Sequence, residues 1–117
     1  TVAERRRMLE DITASFPNVR IDSFENRFLV DYAHSVKAGY IVRGIRSVAD
    51  YEYEHQLSGM NHHLLPQAET VFLITADRYS FVSSSLIRET ARLGGDVGAL
   101  VHPGVKKNLT TKVCTQS

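Results

Sequence analysis

The sequence predicts an α/β protein built on a parallel, doubly wound sheet. Strand-like apolar runs alternate with segments of helical spacing along most of the chain. Thr70, Val71, Phe72, Leu73 and Ile74 form an unbroken run of the kind found in strands covered on both faces. The order of helix, strand, helix, strand, helix, strand, helix, helix suits right-handed βαβ units.

Composition sets the outer bounds. The 117 residues are 43% hydrophobic and 23% charged, as in ordinary globular proteins. That length fits one domain over residues 1–117, able to bury roughly two-thirds of its unfolded surface. With 14 Lys+Arg against 13 Asp+Glu, the net charge is +1. A basic nucleic-acid tail or an acidic solvating protein is thereby excluded as the main theme. No apolar run approaches the roughly 20 residues a spanning helix needs. Neither a nucleic-acid nor a membrane partner is expected. The single cysteine, Cys114, excludes an internal disulfide framework and a multi-Cys zinc site. No signal or transit pattern is visible, so a cytoplasmic protein is expected.

Each element has its own local signal. Thr1 and Glu4 read as a capping box, followed at helical spacing by Met8, Leu9, Ile12 and Phe16 until Pro17. Arg5, Arg6 and Arg7 read as a solvated face. Asn18 to Asp22 reads as a short strand with Val19 and Ile21 on one face. Asn26 is placed as the cap of a second helix carrying Phe28, Leu29, Tyr32, Ala33 and Val36, ended by Gly39. Tyr40 to Val42 is a compact strand closed by Arg43 and Gly44. A third helix starts near Val48 to Asp50, with Tyr53, Leu57, Met60 and Leu64 on its apolar side and Pro66 as its stop. Glu69 to Thr75 is the strongest strand. Ser83, Ser84 and Ser85 lead into a helix bearing Leu86, Ile87, Ala91 and Leu93, ended by Gly94 and Gly95. Pro103 and Gly104 open a last helix through Val113, with a polar tail expected to fray. Three strands are few for such a sheet, and the chain opens on a helix at Thr1. At least one N-terminal βα unit, on the order of 30 residues or more, is therefore expected to be missing.

Two strand ends hold candidate chemistry, because ligands of open α/β sheets bind beyond the carboxyl ends of the strands. In Arg43-Gly44-Ile45-Arg46, two guanidinium groups can address phosphate oxygens through their fork geometry, with Gly44 allowing close approach. The plainer alternative is a pair of surface arginines bonded to Asp50 or Glu54. In Tyr79-Ser80-Phe81-Val82-Ser83-Ser84-Ser85, one serine suffices to cap the following helix. Three serines add hydroxyls to the exposed N–H groups and the positive dipole end, which together suit an anion. Taken jointly, the two segments describe a polyphosphate cleft.

Other clusters are weaker. Asp50, Glu52 and Glu54 are either metal ligands or solvated charges. Asn61-His62-His63 lacks the spacing of a helical zinc pair. Tyr79 and Phe81 either stack on a base or pack. No metal site is expected, and the glycine pattern is neither a dinucleotide fingerprint nor a P-loop.

The strings RGIRSVADYEYEHQLSGMN, ETVFLIT and YSFVSSSLIRETARLGGDV resemble the bacterial phosphopantetheine adenylyltransferases, and the likeness runs from Thr1 to about Val113. The resemblance implies a Rossmann-like fold of the nucleotidyltransferase type. It implies transfer of the adenylyl group of ATP to 4′-phosphopantetheine, giving dephospho-coenzyme A and pyrophosphate, with Mg²⁺ as cofactor. It also implies a homohexamer and feedback inhibition by coenzyme A. Position by position, Gly44, Ile45 and Arg46 match the family's ATP-binding segment, with Arg46 stabilising charge in catalysis. Glu54 matches an ATP-binding glutamate, and Tyr79, Ser80, Phe81, Val82, Ser83, Ser84 and Ser85 match the second nucleotide motif. Arg43 and Leu29 match the substrate side: the phosphopantetheine site and the pantetheine arm.

The family's glycine-rich first strand, its HxGH-type histidine motif and a downstream lysine have no counterpart here. His55, His62, His63 and His102 do not match that histidine. His62 stands where arginine is usual, and Tyr79 where tryptophan is frequent. Two alternatives follow: a catalytically poor nucleotide- or coenzyme-A-binding module, and an adenylyltransferase for nicotinamide or nicotinate mononucleotide. DYEYE after RGIR disfavours the latter.

Overall fold

The computed structural model describes residues 1–115, with side chains through Lys112. Its elements are α1 (Val2–Thr13), α2 (Leu29–Ser35), β1 (Tyr40–Ile45), α3 (Val48–Leu64), β2 (Glu69–Ile74), a 3₁₀ turn (Asp77–Tyr79), α4 (Ser84–Arg92) and α5 (Pro103–Thr115). They form two compact units: Phe24–Phe81, and Thr1–Ser23 together with the chain from Val82 onward.

The Phe24–Phe81 unit is a βαβ crossover preceded by a short helix. β1 and β2 pair in parallel, in register from Tyr40 opposite Glu69 to Ile45 opposite Ile74. Thr75 N–H donates to the Ile45 carbonyl at 2.9 Å and extends the pairing past the last residues. Alternation places Ile41, Arg43 and Ile45 on one face with Thr70, Phe72 and Ile74. α3 covers this face. The Tyr51 ring meets Phe72 edge-on at 5.8 Å, and Glu54 reaches Arg43. Val30 and Ala33 of α2 join Ile41 and Ala68 in the buried cluster, with Leu29, Ala38 and Leu65 packed against it.

Several expectations change here. β1 runs to Ile45, so Arg43 and Gly44 lie inside the strand rather than closing it. β2 is not covered on both faces: Val71, Leu73 and Ile74 are exposed, and Thr70 and Phe72 are half-buried. The apolar side expected for α3 is likewise open, with Tyr53, Met60 and Leu64 exposed, because the helix turns Tyr51 and Glu54 to the sheet instead. Asn26 does not cap α2. It adopts φ 56°, Phe28 occupies the cap position without a side-chain bond, and the left-handed Lys37 (φ 57°) follows the helix end instead of Gly39. Val30, absent from the expected apolar face, is the more deeply buried residue, whereas Phe28 is exposed.

In the other unit, α1 begins at the expected capping box. The Thr1 hydroxyl accepts from Glu4 N–H at 3.2 Å and donates to the Glu4 carboxylate at 2.8 Å. Lys112 of α5 adds a second side-chain donor to that carboxylate at 2.8 Å. These bonds, Lys112 foremost, hold the Glu4 carboxyl near a pKa of about 2. α1 ends at Thr13, three residues short of Phe16, which is exposed. The strand expected over Asn18–Asp22 is absent. Its backbone finds no ladder partner among the described residues, and Val19 is exposed.

α4 is capped by Ser83, whose hydroxyl accepts from Leu86 N–H at 3.2 Å. It ends as its two glycines suggest. Gly94 takes φ 82°, its N–H donates to the Ala91 carbonyl at 3.1 Å, and Gly95 N–H donates to Thr90 at 2.9 Å. Asp96 clamps the following loop, accepting from Gly98 N–H at 2.9 Å and from Lys106 of α5 at 2.7 Å. α5 starts at Pro103, as proline's missing N–H allows. The helix runs to Thr115, two residues past its expected end at Val113, and the rest of the tail expected to fray lies outside the described residues.

Candidate functional site

Leu29, Arg43, Gly44, Ile45, Arg46, Glu54, Tyr79, Ser80 and Phe81 belong to the Phe24–Phe81 unit, and Val82, Ser83, Ser84 and Ser85 to the other. Within the first unit the chemistry gathers at the carboxyl end of β1 and the opening turns of α3. Ser47 caps α3, its hydroxyl accepting from Asp50 N–H at 3.1 Å. Asp50 and Glu54 lie one turn apart on α3 and face Arg46 and Arg43 respectively.

Arg43 and Glu54 make a two-point ion pair, Nε to Oε2 at 2.7 Å and Nη2 to Oε1 at 2.5 Å. The Glu54 side chain keeps only 12% of its surface exposed against 41% for Arg43. The bonds from Arg43 pull the Glu54 carboxyl below the usual carboxylate range, and those from Glu54 push the Arg43 guanidinium up. Arg46 is bound by Asp50 in three ways. Its backbone N–H and Nε both meet Oδ2, at 3.2 and 3.0 Å, and Nη2 approaches Oδ1 at 3.5 Å. Arg46 lowers the Asp50 pKa through these bonds.

The carboxylates of this stretch are thus arginine partners, as the plainer sequence reading had it. Of the acidic trio, Glu52 alone is exposed; Asp50 and Glu54 are half-buried against the arginines. The Ile45 side chain is buried, so it fixes the backbone between Gly44 and Arg46 and offers no surface of its own. A side chain at Gly44 would meet nothing within 4 Å, so no close approach within the chain demands glycine there. Leu29 is half-buried against the core cluster.

The second segment starts in the same unit. Arg78 stacks its guanidinium 4.8 Å over the Tyr79 ring, and Ser80 donates to the Asp77 carbonyl at 2.8 Å. Phe81 is exposed. In the other unit, Ser83 is used as the cap while Ser84 and Ser85 stand exposed in the first turn of α4. The serine run therefore divides into one helix-forming residue and two hydroxyls beside the open N–H groups.

The sequence offered Asp50 or Glu54 as partners of the two arginines without assigning which met which; the four-residue spacing of Arg46 and Asp50 was the available signal. Among the described residues, no three or more His, Cys, Asp or Glu converge as for a metal ion. His62 and His63 are exposed. A cavity of about 310 Å³ in the Phe24–Phe81 unit is lined by Val30, Asp31, His34, Leu64 and Leu65 and includes none of the candidate residues.

A family model described as cytidylyltransferase-like matches residues 1–90. A phosphopantetheine adenylyltransferase of Aromatoleum aromaticum is 47% identical over 113 residues, covering 97% of this chain and 69% of its own length. The chain belongs to the phosphopantetheine adenylyltransferase family. A member from Paraburkholderia phytofirmans is 45% identical over 97% of this chain and 66% of its own length. A Burkholderia mallei member is 42% identical over the whole chain and 70% of its own length. The chain thus spans about two-thirds of these adenylyltransferases, and its parallel βαβ unit agrees with the nucleotidyltransferase fold expected of the family.

Proposed function

We propose that this protein transfers the adenylyl group of ATP to 4′-phosphopantetheine, giving dephospho-coenzyme A and pyrophosphate. The observation that carries the proposal is the 47% identity over 97% of the chain to a relative bearing that enzyme name. A phosphate oxygen of 4′-phosphopantetheine attacks the α-phosphorus in line. The new P–O bond forms as the bond to the bridging oxygen breaks, and pyrophosphate leaves with that electron pair. Such chemistry asks the protein for alignment and charge neutralisation.

Arg46, directly after β1, takes the ATP phosphates and the charge that develops on them. Gly44 and Ile45 set the backbone beside it, and Glu54 contributes to ATP binding. Tyr79, Ser80, Phe81 and Val82 form the second nucleotide segment. The α4 start, with Ser84 and Ser85 exposed beside the Ser83 cap, suits phosphate oxygens. Arg43 holds the phosphate of 4′-phosphopantetheine, exchanging or sharing Glu54 to do so, and Leu29 borders the pantetheine arm.

Mg²⁺ is part of the proposal as an ion carried with the ATP phosphates. It usually takes one or two protein carboxylates plus substrate oxygens. Asp50 and Glu54 are already bonded to arginines, so the described residues offer no ready carboxylate cage and no step is routed through the metal. No described helix is long and apolar enough to cross a membrane. A cytoplasmic homohexamer inhibited by coenzyme A completes the proposal.

The test is pyrophosphate release by the full-length protein with ATP and either 4′-phosphopantetheine or nicotinamide mononucleotide. Turnover with 4′-phosphopantetheine alone is expected. A preference for the mononucleotide overturns the substrate assignment, and binding without turnover leaves only a nucleotide-binding module.

A further inference from the structure

Asp50 is a charged residue of this region that directly engages a candidate ligand residue, yet neither the motifs nor the proposed reaction gives it a task. Its carboxylate is committed to one neighbour. Oδ2 receives both the backbone N–H and the Nε of Arg46, and Oδ1 receives Nη2. Asp50 is itself fixed, because its N–H is held by the Ser47 hydroxyl in the first turn of α3. That turn is also where the helix dipole favours a carboxylate. The Asp50 side chain is 30% exposed and that of Arg46 39%, so the pair sits at the surface with its geometry set before any ligand arrives.

We propose that Asp50 is a positioning residue: it pins the main chain and the Nε edge of Arg46 so that the guanidinium meets a triphosphate already oriented. A free arginine loses much rotamer freedom when it binds an anion, and an arginine held beforehand loses less. Asp50 engages the Nε and Nη2 edge of the five-donor guanidinium fork. The bonds at 3.0 and 3.2 Å converge on a single oxygen. An amide oxygen in the same place can accept both, so geometry and charge are separable by substitution. The inference rests on the reading of Arg46 as the ATP-phosphate ligand.

The experiment is steady-state kinetics of the full-length protein with Asp50→Ala, Asp50→Asn, Ser47→Ala, Arg46→Ala and the Arg46→Ala/Asp50→Ala double variant, beside thermal melts. Asp50→Ala is expected to lower kcat/KM for ATP about tenfold, and Asp50→Asn to recover to within about threefold of wild type. On Arg46→Ala, Asp50→Ala is expected to add less than about twofold, as for residues acting through one another. Ser47→Ala removes the hydrogen bond that caps α3 but keeps the Asp50 carboxylate itself, so it separates helix fraying from loss of the carboxylate. An active wild type whose Asp50→Ala variant matches it overturns the positioning role alone. So does a Ser47→Ala loss equal to that of Asp50→Ala at the same melting shift, or additivity with Arg46→Ala. An inactive wild type overturns the reaction itself, and the positioning role with it.

Discussion

Arg43 of β1 and Glu54 of α3 are joined by two parallel hydrogen bonds, at 2.7 and 2.5 Å, across the interface of strand and helix. Bidentate pairing of this kind is directional as well as electrostatic. It ties the middle of the strand to the second turn of the crossover helix. Glu54→Ala should leave the half-exposed guanidinium without its partner and destabilise the protein by about 1–2 kcal/mol. Urea unfolding of Glu54→Ala and Glu54→Gln measures this, and a loss below about 0.3 kcal/mol in both would remove the pair from the stabilising contacts.

The acid side of the stability curve follows from the same bonds. Arg43 depresses the Glu54 pKa, and Arg46 depresses that of Asp50. A carboxylate whose folded pKa lies below its unfolded value stabilises the fold above the ordinary carboxylate range. That contribution disappears as pH falls through the folded value. The urea midpoint should therefore stay level from pH 7 to about 5 and decline below about 4.5, less steeply in Glu54→Gln. A midpoint that rises on acidification contradicts the pairing.

Glu4 extends the same argument to lower pH. Its carboxyl, held at about 2 by Lys112 and Thr1, should remain ionised well below the range of free glutamates. A carboxyl chemical-shift titration reads this directly. Lys112→Ala should bring the midpoint back toward about 4.3, with little change in melting because the bridge lies at the surface.

The three serines before α4 should separate in experiment. Ser83→Ala should cost about 1 kcal/mol, since the Ser83 hydroxyl receives Leu86 N–H at 3.2 Å. Ser83→Gly should cost only a few tenths. Ser84→Ala and Ser85→Ala should leave thermal melts within about 0.5 kcal/mol of wild type while weakening ATP binding. Calorimetry with ATP decides. Unchanged affinity in both variants would remove the α4 start from the nucleotide site.

Gly94 closes α4 in the left-handed region, at φ 82°. Nothing crowds the position of an added methyl group, so the strain of Gly94→Ala is purely a backbone effect. A loss of about 1–2 kcal/mol is expected by chemical denaturation, with Gly94→Asn closer to wild type.

Local chemistry was the legible part of this sequence. The Thr1–Glu4 box, the Ser83 cap and the Gly94-Gly95 stop depend on bonds within a few residues, and all three occur as the sequence suggests. The parallel pairing of β1 with β2 also followed from the alternation of element types. Burial was less legible. The run from Val71 to Ile74 has the composition of a strand covered on both faces, but composition does not say which surfaces meet; Leu73 and Ile74 stay exposed while Ala68 is buried. Val19 and Ile21 could not make a strand, because pairing needs a second chain segment that their own pattern does not specify. At the site, both arginines were visible as candidates. Their carboxylate partners were visible too, but which oxygen met which nitrogen depended on where β1 ended, and it ended at Ile45, past the expected boundary at Val42.

One consequence concerns assembly of the sheet. Ile41 and Ile45 flank Arg43 on the face turned to α3. A strand displaced by a single residue would turn all three away, expose two isoleucines, and leave the Glu54 carboxylate, with 12% of its side chain exposed, facing no cation. The arginine in an otherwise apolar row therefore serves as a key: only the strand laid the right way up and in the right frame fits the lock that α3 presents.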